Sequence, residues 1–353
     1  MAHRDSWGLL RELSPRKQTT LITLSFVLPI LLWCVISYVP FIWHPNIKIA
    51  KPGGVDYLKV GDLVPKKDFY EERTRVLGEG LEAPAGVPAN PIYLPAPHEV
   101  ARALYTAFTT PPKLNGAKWL HESLWHSITI IFWGFTISSI FGLPIGLLCG
   151  SYRAMAKVTE PFIEFFRYLP APAFGALCVA VFGIKDEPKI AIIFIGTFFQ
   201  QVLVIANTTR QIDPSLLEAA QTLGAKGHQL FFRVVIPGVI SEIYTDMRIL
   251  LGWAWTYLIV AELIGSSSGI TYFITLQGRF RNFENVYAAI IMIGIIGFTS
   301  DLVLARIGEG LFPWKRKRGT GRGWMIRLGT SLVGLFKRRR PAGDNSPETA
   351  SLL

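Results

Sequence analysis

Residues 19 to 43 run for 25 positions without one charged side chain. At about 1.5 Å of rise per residue, a helix of that length crosses the roughly 30 Å hydrocarbon core of a bilayer. The run is too long for a signal-peptide core and lacks an Ala-x-Ala-type cleavage site, so it reads as a first span. Five further stretches reach or approach the same length, at 124–150, 158–183, 190–209, 238–264 and 286–306. Inside lipid the backbone N–H and C=O groups must be satisfied within the segment, which makes each of these a helix. A chain that is 50% hydrophobic and 17% charged, with mean hydropathy +0.35, fits that reading. The expected fold class is an all-α polytopic membrane protein with about six transmembrane helices. The third and fifth runs carry ionisable residues in their first halves.

Basic residues orient the spans. Arg11, Arg16 and Lys17 precede the first run, and Arg153 and Lys157 follow the second. Arg210, Lys226 and Arg233 follow the fourth, and Lys315 to Arg318 follow the sixth. Six spans place all four sets on one side, which the positive-inside rule makes cytoplasmic, with both termini inside. Arg279 and Arg281 fall on the outer side, against the trend. The organisation expected is a cytoplasmic tail (1–18), helix 1 (19–43), an extracytoplasmic loop with an insertion (44–122), a core with helices 2–6 (123–314) and a basic cytoplasmic tail (315–353). Within the loop, "KPGGVDYLKVGDLVPKKDFYEERTRV" allows a strand or two and a short helix, and "APHEVARALYTAF" a helix leading to span two. In the tail, Met325, Leu328, Leu332 and Leu335 recur at helical spacing beside a basic cluster, suited to an anionic leaflet or to a disordered tail.

Several chemistries lack their residues. The net charge of +11 is spread over span ends and the tail, where topology uses it, so nucleic acid is not an expected partner. In "HESLWH" the two histidines, His121 and His126, are five apart, whereas a zinc helix needs i, i+4. There is no GxxxxGK[ST] loop to cradle a nucleotide and no Gly-x-Ser-x-Gly elbow, so no catalysis, metal or cofactor is expected on this chain. Cys34, Cys149 and Cys178 sit in apolar runs as small buried hydrophobes.

Polar and small residues inside the spans are the candidates for function. Ser138, Gly142, Gly146 and Gly150 recur every four residues, a pattern that lets helices approach closely, either within one subunit or across a dimer seam. Pro144, Pro170 and Pro172 should kink their helices. Arg248 lies within the membrane and Glu262 near its outer interface, either paired structurally, as Arg248 with Glu242 or Asp246, or lining a pathway or gate.

The stretch "DPSLLEAAQTLGAKGHQLFFRVVIPG" (213–238) is polar among apolar spans. Asp213-Pro214 supplies an N-cap with Pro at N1, and Glu218 is expected in the first turn, favoured by the macrodipole. Gly224 permits a turn and Pro237 closes a second apolar run, giving two short cytoplasmic helices that a partner can hold.

At Glu218, Ala219, Ala220, Gly224 and Pro237 the sequence resembles the EAA loop of ABC importer permeases. The resemblance extends over about 92–314, and "LPAPHEV", "SLWHSITIIFWGFTISSIFGLPIGLLCG", "RILLGWAWTYLIVAELIG" and "PWK" are similar to the nitrate, sulfonate, taurine and bicarbonate group. It implies the type I ABC importer permease fold in a bacterial inner membrane, with a coupling helix docked on an ABC ATPase subunit that carries the ATP-Mg. It also implies an extracytoplasmic substrate-binding protein, a second permease copy or paralogue, and a small anion as solute. The 44–91 insertion and the basic tail depart from the group. From the residues alone, a non-ABC channel or secondary transporter and a membrane scaffold stay open.

Overall fold

The computed structural model describes residues 14–39, 42–111, 119–264 and 268–315. The expected helical pattern in the basic tail lies outside the described residues. The chain divides into two units, and the packing described below belongs to the one formed by residues 31–313.

Helix α1 (Pro15–Tyr38) opens on Arg16 and Lys17 and carries no charged residue after them. Near its end Trp33 stacks on Tyr287 and donates its indole N–H to the Pro95 carbonyl at 3.1 Å. The insertion that follows is more ordered than a loop. Strands β1 (Asn46–Lys51) and β2 (Leu63–Pro65), helix α2 (Lys66–Gly78) and strand β3 (Ala85–Ala89) form an antiparallel sheet, in the order β2-β1-β3, with a helix beside it. Ile47, Ile49, Val55, Leu58, Phe69 and Val76 make a core of its own. Alternate burial of Ile47 and Ile49 on β1 is the period-two signal that the Pro- and Gly-rich composition obscured. Helix α3 (Pro97–Thr109) then starts at Pro97, with the Glu99 carboxylate accepting from the Ala96 N–H at 2.8 Å.

Helix α4 (Leu120–Ser151) is a single element through Pro144, so that proline does not interrupt it. Helix α5 (Arg153–Arg167) and helix α6 (Gly175–Phe182) replace the expected third span with two pieces bent by 85°. The break falls at Pro170, which lacks an N–H and disfavours helical geometry at Leu169, and a 3₁₀ turn over Ala171–Phe174 links the halves.

Helix α7 (Glu187–Arg210) explains why the chain must return between α4 and itself. A Cβ built on Gly134 would lie 2.7 Å from Ile193 Cγ2, one on Gly142 would lie 2.8 Å from Gln201 Oε1, and one on Gly146 would lie 2.7 Å from Ile205 Cβ. Gly150 meets Thr209 in the same way. The numbers rise together on both helices, so α4 and α7 run parallel and α5 with α6 carries the chain back through the thickness between them. The stripe of Ser138, Gly142, Gly146 and Gly150 therefore faces a helix of the same chain, and Ser138 donates its hydroxyl to Gln201 Oε1 at 2.8 Å.

Beyond α7 come the short helices α8 (Pro214–Thr222) and α9 (Gly227–Leu230), then α10 (Ile236–Leu263), α11 (Ile270–Arg279) and α12 (Phe283–Leu311). Helix α10 runs antiparallel to α7, with Asp246 beside Thr208 at one end and Tyr257 beside Gly196 further along. Helices α1, α4, α7 and α12 are each long and apolar enough to cross a membrane, and the bent pair makes a fifth span if its halves are one. Helix α10 is more polar because of Glu242, Asp246 and Arg248, yet it lies along α7 over the same height. The main core joins α4, α6, α7 and α10 through Leu124, Cys178, Ile192, Ile193 and Leu258.

Candidate functional site

The stretch between α7 and α10 is built by local rules. The Asp213 carboxylate accepts from the Ser215 N–H at 2.9 Å, and Pro214 occupies the first helical position, where no N–H is needed. That backbone hydrogen bond holds the Asp213 carboxyl below its ordinary value. At the other end, the Ala225 N–H donates to the Ala220 carbonyl at 3.0 Å and the Gly224 N–H to the Gln221 carbonyl at 2.9 Å. These are the two bonds of a Schellman motif, and Gly224 supplies its left-handed residue at φ +86°. A Cβ on Gly224 would meet nothing within 4 Å, so the dihedral and not crowding demands glycine.

Helix α8 packs lightly, against α9 and the turn over Phe231–Val235. It has no buried residue; Glu218 and Ala219 are exposed and Ala220 is half-buried. Leu216 is 50% exposed and Leu223 88%. Two expectations need correction. Glu218 lies in the second turn of α8, not the first, and because the macrodipole acts within the first turn it does not stabilise this helix start. Pro237 does not stop a helix: α9 runs through a π-helical turn over Phe231–Val235 into α10, and Pro237 lies in the first turn of α10. A wide turn just before the proline accommodates its missing N–H, so the stretch holds one exposed short helix and one extension of α10.

Two polar sites join the long helices. Arg248 pairs with Asp301 of α12, through Nε at 3.0 Å and Nη2 at 2.6 Å, and not with Glu242 or Asp246. On a helix, 248 and 246 point to different faces, and Asp246 instead accepts from the Thr208 hydroxyl of α7 at 2.5 Å. At the opposite end of α10, Glu262 is fully buried among helices of this chain. Its Oε1 accepts from the Ser127 hydroxyl at 2.5 Å and its Oε2 from the Thr271 N–H at 2.8 Å, while Ser127 Oγ accepts from the Ile270 N–H at 2.9 Å. Glu262 thus ties α4 and α10 to the N-terminus of α11, and Gly269, at φ +103°, leaves the space that its carboxylate fills. Beside it, buried Lys189 donates to Asp186 at 2.9 Å and to Ser268 at 3.1 Å, and His126 reaches Asp186 at 3.1 Å. Sequence reading did not single out Asp301, Gln201, Ser127 or Lys189. A lysine in the apolar run after Pro188 was the one available signal.

The family model for the inner-membrane component of binding-protein-dependent transport systems matches residues 142–317. A probable ABC transporter permease protein of Brucella abortus (strain 2308) is 30% identical over 226 residues, covering 64% of this chain and 88% of that protein. This chain belongs to that family. It is a transport subunit with several apolar helices, an ABC transporter permease. The taurine transport system permease protein TauC of Escherichia coli (strain K12) is 32% identical over 225 residues, covering 64% of this chain and 81% of that protein. The nitrate import permease protein NrtB of a Synechocystis strain is 25% identical over 226 residues, covering 64% and 82%. The matched family region, from Gly142 onward, takes in most of the α4–α7 seam, α8, the Arg248–Asp301 pair and Glu262, while Ser127 lies before it.

Proposed function

We propose that this permease has the type I importer fold and imports a small anion of the sulfonate or nitrate kind, driven by a separate ATPase that α8 engages. The reading rests chiefly on α8: a capped, exposed helix with uncovered Leu216 and Leu223, closed by a glycine turn and joined to two long helices. Such a helix stabilises little by itself, but it is shaped to be held. The ATPase carries the ATP-Mg, and a closure of the ATPase pair displaces α8. That displacement passes to α7, and with it to α4 through the glycine seam, and through α9 and the π turn to α10. Arg248–Asp301 carries it on to α12, and Glu262 to α11. The solute pathway forms against a second permease copy or paralogue. An extracytoplasmic binding protein delivers the solute on the side of the insertion, and the basic loops and termini face the cytoplasm. The names of the taurine and nitrate relatives support the anion.

The test has two arms. Reporter fusions near residue 75 and residue 225 should fall on opposite sides, the second cytoplasmic. Purification of the tagged chain from its native membrane should bring an ABC ATPase with it, and the reconstituted complex should take up a sulfonate or nitrate with ATP. Recovery of the chain without an ATPase, together with ATP-independent flux, would replace this reading with a channel or secondary transporter.

A further inference from the structure

Helix α5 climbs along α7 through the depth of the bundle. Glu160 pairs with Arg210, the last residue of α7, and two turns further on Phe166 stacks on Phe199 with ring centroids 5.3 Å apart. Phe199 is near the middle of α7, so at 1.5 Å per residue it lies roughly 17 Å from either end of that membrane-long helix. Helix α5 therefore does not lie flat on a bilayer surface, and Arg167, next to Phe166, sits at mid-depth. The flanks of α5 differ. On one side of buried Ile163 stand Met155, Val158, Phe162 and Phe165, all exposed. At 3.6 residues per turn the other flank carries Arg153, Lys157, Glu164 and Arg167, also exposed. None of these charges enters an ion pair among the described residues, and Arg167 reaches only the hydroxyl of neighbouring Tyr168, at 3.1 Å.

Acyl chains fit the apolar flank and exclude the charged one, because an ionisable side chain at mid-depth faces protein or a water-filled space. The break that follows α5 carries the same requirement. Tyr168 is 76% exposed, Leu169 and Pro170 are exposed too, and Ala171 just beyond them packs in the core that holds Ile192 and Ile193, still within the height of α7. Non-helical backbone at such depth is tolerated only where protein buries it or where it lines a water-filled cavity. Water meets both requirements at once, whereas a protein cover has to bring a partner for every charge and for the open backbone. We propose that the charged flank of α5 and the break after it line the water-filled solute pathway, with Arg167 the charge that a solute meets halfway across. Arg153, Lys157 and Arg167 outnumber Glu164 along this wall, so the potential there is positive. Water reaches the flank whatever the chain transports; that the solute passes along it rests on the importer reading.

The experiment is thiol labelling of the full chain, purified with its partners into nanodiscs that leave both faces open to reagent. Glu164→Cys and Phe162→Cys are treated with two methanethiosulfonates of similar size, the anionic 2-sulfonatoethyl and the cationic 2-(trimethylammonio)ethyl reagent. The unsubstituted chain gives the background from Cys34, Cys149 and Cys178. Glu164→Cys should react at least about tenfold faster than Phe162→Cys, whose thiol faces hydrocarbon. Adding Arg167→Gln to Glu164→Cys should then slow the anionic reagent and speed the cationic one. A unit charge about 6 Å away in water changes each rate by about threefold, so the ratio should shift by about tenfold. Equally slow labelling at both positions means that lipid or a partner covers the flank, and it overturns the proposal. Fast labelling with a ratio that Arg167→Gln leaves unchanged overturns the part given to Arg167. Should Glu164→Cys fail to insert, Tyr168→Cys, exposed beside Arg167, takes its place in both arms. Whether an ATPase copurifies is scored separately: its absence counts against the importer reading, and the labelling still decides whether this flank is wet.

Discussion

Gly224 offers the sharpest separation of backbone geometry from contact. Its φ of +86° belongs to the left-handed region, and no atom lies within 4 Å of where a side chain would begin. An L-residue with a Cβ pays roughly 1–2 kcal/mol there, which is about a 5- to 30-fold loss in population of the turn. A β-branched residue costs more, while Asn tolerates the region. The expected order is therefore Gly, then Asn within a few-fold, then Ala down by about 5- to 30-fold, then Val lowest. The assay is ATP-driven uptake in proteoliposomes beside ATPase copurification, with membrane insertion as the control. Insertion should be unchanged throughout, because Gly224 is exposed and packs against nothing. If Val transports like Gly, the turn does not matter to coupling. If Asn fails as badly as Val, bulk against the partner matters and the dihedral does not.

Three other outcomes follow from the same packing. Gly146→Leu forces a Cβ to 2.9 Å from the Val202 carbonyl, which is backbone and cannot rotate away; overpacking of about 1–3 kcal/mol should lower the melting temperature, and an unchanged one would mean the α4–α7 seam is looser than described. Arg248→Gln and Asp301→Asn should each impair stability and uptake, whereas the double variant should recover part of the stability, since neither charge is then left alone; simple additivity would show that the two do not act as a pair. The Asp213 carboxyl is held low by the Ser215 N–H, so its contribution to the α8 cap is complete above the unfolded value near 3.8 and is lost as pH falls through the lower folded value. Hydrogen exchange at the Ser215 amide, corrected for intrinsic rates, should be flat from pH 7 to about 4.5; fading protection at pH 5 to 6 would assign the cap to another group.

What the sequence determined by itself was whatever depends on near neighbours along the chain. Six apolar runs, the Asp213-Pro214 start, the glycine at 224 and the four-residue recurrence from Ser138 to Gly150 are all properties of short windows, and lipid leaves the backbone of an apolar run little choice but a helix. The insertion was half legible: its strands are short and broken by Pro and Gly, so the buried alternation of Ile47 and Ile49 covers too few residues to stand out. Only the tertiary structure decided which residues meet. Arg248 finds Asp301 across 53 positions and Glu262 finds Ser127 across 135, and nothing near either residue names its partner. The same holds for Pro144 and Pro170, alike in sequence, of which one lies inside an unbroken helix and the other at an 85° bend. Proline removes one hydrogen bond in both places, and the surrounding packing settles whether the helix survives it.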